Sequence, residues 1–86
     1  MKEPRFFSGR VAAVVVHFGP WPSTVRTVAS LRAHAPEAEV LVINNDPASD
    51  PPPDLGAAVL DSPRNIGYGA ACNLGARAVQ AARCPG

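Results

Sequence analysis

Cysteine is scarce in this chain: Cys72 and Cys84 are the two among 86 residues, and no Cys-x-x-Cys is present. A zinc knuckle is thereby excluded, and the two read as reduced thiols, Cys72 inside a helix and Cys84 at its frayed end. An excess of one charge sign is also missing. The formal net charge is +1, which gives no reason to expect nucleic acid or an anionic membrane as the main partner. Long hydrophobic runs are absent. The apolar run at residues 11–16 is too short for a signal segment and far too short to span a bilayer, so a cytoplasmic location is expected. Neither an internal repeat nor a coiled-coil heptad is found.

What remains is the composition of a globular core, with 47 % apolar and 17 % charged residues. The length fits one domain or part of one, of marginal independent stability. Residues 1–9 read as a disordered lead-in and residues 10–86 as the folded part. The run Val-Ala-Ala-Val-Val-Val at 11–16 does not alternate, so a strand buried on both faces is expected. Gly19, Pro20 and Pro22 break it. Ser23 then offers an N-cap for a helix of about three turns that Pro36 stops. Residues 40–43 form a second buried strand, ended by Asn44-Asn45-Asp46-Pro47. The proline-rich segment 47–53 reads as a loop, and residues 57–60 as a short third strand. Residues 70–83 read as an alanine-rich helix with Ala71, Leu74, Gly75, Ala78 and Ala82 on one face.

The order strand, helix, strand, loop, strand, helix predicts an α/β chain with parallel strands in a three-layer, Rossmann-like arrangement. Ligands of such sheets bind at the carboxyl ends of the strands. His17-Phe18, Asn44-Asn45-Asp46 and residues 64–69 are expected to meet there. The last segment opens Asn65-Ile66-Gly67-Tyr68-Gly69-Ala70-Ala71-Cys72-Asn73-Leu74-Gly75, with two glycines where a strand hands over to a helix. Glycine permits a sharp turn and close approach of a ligand. The helix start behind it suits an anion.

These residues carry a resemblance. VAAVVVHF, the helix containing Leu31, VLVINND and NIGYGAACNLGARA together resemble the N-terminal nucleotide-binding part of family 2 glycosyltransferases, closest in pattern to the rhamnosyltransferase-like bacterial members. The resemblance runs from Val11 to about Arg83, and residues 65–75 are its most specific part. It implies the first half of a GT-A type domain and a glycosyltransferase function, with sugar passed from a nucleotide-sugar donor to an acceptor hydroxyl. It places His17 and Phe18 against the base or ribose, and Asn44 where the family has an aspartate. Asn45 matches the family asparagine. Asn65, Gly67 and Tyr68 stand at the wall beside base and diphosphate, and Asn73 as a tie between its helix and neighbouring backbone.

Two departures qualify what the resemblance implies. Asn44 accepts through its carbonyl, but it brings no charge and also donates. The family's Asp-x-Asp motif, which holds Mg²⁺ or Mn²⁺ on the diphosphate, occurs nowhere in the chain, and no residue stands for the acceptor-side catalytic base. No catalytic residue and no metal ligand is therefore assigned. Asp46, Asp50, Asp54 and Asp61 are scattered over loop positions. The 86-residue chain is expected to bind the donor nucleotide without turning it over, and to self-associate through an unpaired strand edge.

Alternatives remain. One is a non-catalytic truncated product, or a module that binds a nucleotide or a protein. Another is a dinucleotide-binding Rossmann unit. Against the latter, Cys72 stands where Gly-x-Gly-x-x-Gly needs its third glycine, and the glycines follow the third strand rather than the first. Trp21 is expected to anchor a loop, Arg64 to be a solvated charge and Cys72 to lie in the core.

Overall fold

A computed structural model describes residues 11–83. The lead-in expected at residues 1–9, and Cys84, lie outside the described residues. Three strands, β1 (Ala12–His17), β2 (Glu39–Asn44) and β3 (Ala58–Asp61), and two helices, α1 (Trp21–His34) and α2 (Tyr68–Arg83), follow one another as β1-α1-β2-β3-α2. The strands form one parallel sheet in the order β1-β2-β3. The fold class expected from the sequence holds at this level, a small α/β unit compatible with a Rossmann-like arrangement.

Residues alternate across the sheet into two cores. Val14, Val16, Leu41, Ile43 and Leu60 pack with Ala71, Leu74, Ala78 and Val79 of α2. Val15, Val40, Val42 and Val59 pack with Trp21, Val28 and Leu31 of α1, joined by Leu55 from the β2–β3 connection. Two covered faces explain why residues 12–16 of β1 and 40–43 of β2 are apolar throughout rather than alternating. β2 is the central strand, with Val42 and Ile43 wholly buried. β1 stays half-buried along residues 12–16, with no strand on its outer side among the described residues.

Several boundaries differ from the sequence reading for identifiable reasons. α1 begins at Trp21 rather than after Ser23. Pro20 is its cap residue, without a side-chain capping bond, and a proline lies in its first turn. Proline fits there because the N–H it lacks has no helical partner at that position. The Ser23 carbonyl instead accepts the Thr27 hydroxyl, 3.1 Å away. The strands extend to His17, Asn44 and Asp61 because parallel pairing continues to those residues. On α2, Val79 is buried whereas Ala82 is exposed, and Cys72 is only half-buried.

Gly75 decides how closely α2 can approach the sheet. A Cβ there would lie 2.5 Å from Val14 Cγ1 and 3.2 Å from Ile43 Cγ1. No real Cβ sits that close to a packed methyl, so the helix rests on β1 and β2 only because this position has no side chain.

Candidate functional site

The three strands end in one row. In the parallel register His17 lies opposite Asn44, and Asn44 opposite Asp61. The row continues through backbone bonds just beyond it, with Asn45 N–H donating to the His17 carbonyl (2.9 Å) and Ser62 N–H to the Asn44 carbonyl (3.1 Å). Polar side chains thus gather at the carboxyl edge of the sheet, as open α/β sheets dispose their ligand sites.

His17 is fully buried. Its Nδ1 lies 2.6 Å from Thr24 Oγ1 on α1, and Trp21 stacks on the imidazole with ring centroids 3.4 Å apart. Nε2 is buried without a hydrogen-bond partner among the described residues. Burial holds the pKa below its ordinary 6.5, against the opposing pull of the Gly19 backbone and the charge of Asp46. The ring is therefore neutral at neutral pH. Trp21 Nε1 donates to Ser49 Oγ at 2.8 Å, so the indole anchors the β2–β3 connection, as its sequence position implies, while also covering His17.

Asn44 and Asn45 are both buried, and their side chains are engaged within the protein. Asn44 Nδ2 donates to the Ser49 carbonyl (3.0 Å) and to Asp61 Oδ1 (3.1 Å), and its Oδ1 accepts from Asp46 N–H (3.1 Å). Asn45 Oδ1 accepts from Ile66 N–H (3.0 Å) and Ser62 Oγ (3.1 Å), while its Nδ2 donates to Asn65 Oδ1 (3.0 Å). The Ser62 hydroxyl has one proton and three acceptors within reach: the Asn44 carbonyl, Asn45 Oδ1 and the Arg64 carbonyl. This network fastens the β3–α2 connection to the end of β2.

That connection turns into α2 at Gly67, whose φ of +86° is a left-handed value that disfavours other residues. Asn65 Oδ1 accepts Gly67 N–H at 3.0 Å, an Asx-turn geometry, and the Gly67 carbonyl accepts Ala71 N–H at 3.0 Å. Gly69, by contrast, lies inside the first turn of α2, and a Cβ there would have no neighbour within 4 Å, so the fold imposes no requirement for glycine at that position. Phe18 and Tyr68 are the exposed aromatics of this edge, 62 % and 74 % accessible. Hydrogen bonding with the Cys72 side chain one turn on raises the Tyr68 pKa above its ordinary value.

The structure therefore brings the three expected segments together but divides them. His17, Asn44 and Asn45 form a buried layer; Phe18, Asn65, Gly67 and Tyr68 form an exposed rim. Sequence reasoning missed Asp61, which β3 carries to the exposed end of the row beside Asn44. The signal was its place at the end of an apolar run, equivalent to that of Asn44. Asn73 makes no hydrogen bond to neighbouring backbone among the described residues and is exposed, which corrects its expected role as a helix tie.

On the flank of this edge an open groove of about 600 Å³ runs between the β3–α2 connection and α2, lined by Arg64, Asn65, Ile66, Asn73, Leu74 and Arg77 among others. Among the described residues no three His, Cys, Asp or Glu side chains come together as a metal would require, and no helix is long and apolar enough to cross a membrane. Comparison with family models, with curated proteins and with solved structures returns no match for this chain.

Proposed function

We propose that this chain is the donor-nucleotide-binding part of a glycosyltransferase of GT-A type. The observation that carries the reading is the row His17–Asn44–Asp61 across three parallel strand ends, with the Asn65–Gly67 turn hydrogen-bonded beside it. Polar groups on successive strand tips next to a glycine turn suit a ligand with a base, a ribose and an anionic tail.

In this reading the buried layer sets the shape and the rim makes the contacts. Phe18 and Tyr68 offer aromatic faces to the base. Asn44 lacks the negative charge that the resembled family has at its position, and Asp61 supplies it from the neighbouring strand. The Asn44 amide holds one carboxylate oxygen of Asp61, which orients the group to accept from the two hydroxyls of a ribose. Mg²⁺ or Mn²⁺, implied by the resemblance, does not fit the residues present: Asp61 belongs to no group of three or more His, Cys, Asp or Glu side chains among the described residues. No step is routed through a metal, and the 86-residue chain is expected to bind a nucleoside diphosphate without transferring sugar.

Calorimetric titration of nucleoside diphosphates against the chain and its Asp61→Asn variant tests the reading. The variant should bind about tenfold more weakly, the worth of one charge-assisted hydrogen bond. Equal affinity would remove Asp61 from the site, and sugar transfer by the chain alone would overturn the division of labour proposed here. A second reading, the protein-binding form of the non-catalytic module, draws on the internal engagement of Asn44 and Asn45. It predicts no nucleotide binding at all.

A further inference from the structure

The groove beside α2 has a donor set that the protein does not use. Arg64 and Arg77 are exposed, and neither has an ion-pair partner among the described residues. The Asn65 side chain engages Asn45 and Gly67 through its oxygen, leaving its Nδ2 without a protein acceptor among the described residues. The Asn73 amide likewise has no partner among the described residues. Ile66 and Leu74 line the same groove and are only partly covered by the core beneath.

Charge along the chain reinforces this. Between residues 37 and 61 every formally charged residue is acidic: Glu37, Glu39, Asp46, Asp50, Asp54 and Asp61. After Asp61 the charged residues are Arg64, Arg77 and Arg83, and no acid follows. The groove therefore draws both walls from a segment of purely positive charge. Uncompensated cations are ordinary on a surface when scattered. Two guanidiniums and two amide donors lining one concavity, with no carboxylate among its lining residues, form a complementary surface for an anion.

We propose that this groove is a second ligand site, separate from the strand-tip row, and that it takes a phosphomonoester whose carbon substituent is apolar. Two guanidinium charges match the near-dianionic charge of a phosphomonoester at neutral pH. Its three peripheral oxygens accept from more donors than the two oxygens of a carboxylate can, and guanidinium forks fit them bidentately. The Ile66 and Leu74 side chains receive the apolar part. The groove shares Asn65 with the turn beside the strand-tip row, but neither Phe18 nor Asp61 lines it, so the site does not depend on the glycosyltransferase reading.

The test is amide and side-chain NMR titration with phenyl phosphate, run in parallel with acetate, on the whole chain and on Arg77→Gln and Arg26→Gln. Arg77 and Arg26 are both exposed helix residues, and each variant removes one charge, but Arg26 lies on α1. Phenyl phosphate should shift Arg64, Asn73 and Arg77 and leave Phe18 and Asp61 in place. Arg77→Gln should weaken binding about tenfold, as expected for losing a charge-assisted pair, while Arg26→Gln binds as the parent does. Acetate should bind far more weakly. Three results would each overturn the proposal: no shifts at the groove, equal weakening by both variants, or acetate binding as well as phenyl phosphate. A nucleoside without phosphate reports only on the strand-tip row, so failure of one site is distinguishable from failure of the other.

Discussion

The two faces of the sheet are held in different ways. On one, α2 lies directly against β1 and β2 through small residues, with Ala71 wholly buried and Gly75 leaving room for Val14 and Ile43. On the other, α1 buries only Thr24 and Val28. Its first turns are fastened by a chain of polar and aromatic contacts that runs from Thr24 through His17 and Trp21 to Ser49. Shape fixes the first face, whereas a titratable hydrogen-bonded stack fixes the second. One face should therefore respond to side-chain volume and the other to pH.

The largest effect is expected at Gly75. Gly75→Leu drives a side chain into Val14 and Ile43 and should abolish cooperative folding, while Gly75→Ala should cost about 1–3 kcal/mol, the range for overpacking. Urea denaturation followed by circular dichroism checks both. A Gly75→Ala variant as stable as the parent would mean that α2 does not sit as closely as described.

Next comes the network behind the row. Asn45→Ala removes three hydrogen bonds to Ser62, Ile66 and Asn65 and leaves Ser62 buried with one acceptor fewer. A loss of about 2–3 kcal/mol follows from removing hydrogen bonds worth about 1 kcal/mol each and leaving the part-buried Ile66 N–H without its acceptor, which is a large fraction of the stability of a small domain. Faster amide exchange at Ile66 and Gly67 should accompany it. Loss of stability with unchanged exchange there would argue that the network does not hold the β3–α2 connection.

The pH response is smaller and belongs to the α1 face alone. Because burial lowers the His17 pKa from 6.5, the unfolded chain takes up a proton before the folded one as pH falls. Stability should be on a plateau above about 6.5 and decline below it, through the folded-state pKa, where both forms are protonated and the slope ends. His17→Leu should flatten that slope whatever it does to stability as a whole. Denaturation midpoints measured across this window decide the matter: a slope of the same size in His17→Leu assigns it to another group.

Much of this architecture was readable from residue pattern. The apolar runs marked three parallel strands, and the alternation with helices marked the layers, because burial on both faces forbids polar interruptions. Boundaries were harder. Ser23 has the better capping side chain, yet prolines on either side of Trp21 start the helix earlier without one. The meeting of His17, Asn44 and residues 64–67 followed from topology alone. What stayed hidden was tertiary. That Gly75 is required by a contact with Val14, that Asn44 and Asn45 turn inward to their neighbours, and that Asp61 ends the row all depend on register and close approach. Local sequence encodes neither.

The donor-binding claim rests on the carboxyl edge of the sheet, and residue-resolved NMR titration with a nucleoside diphosphate tests it most directly. Shifts centred on Phe18, Asp61, Asn65 and Tyr68 should saturate together, with the α1 surface around Arg26 unmoved. Saturable binding that leaves those four residues unshifted, or no binding by any nucleoside diphosphate, would contradict it.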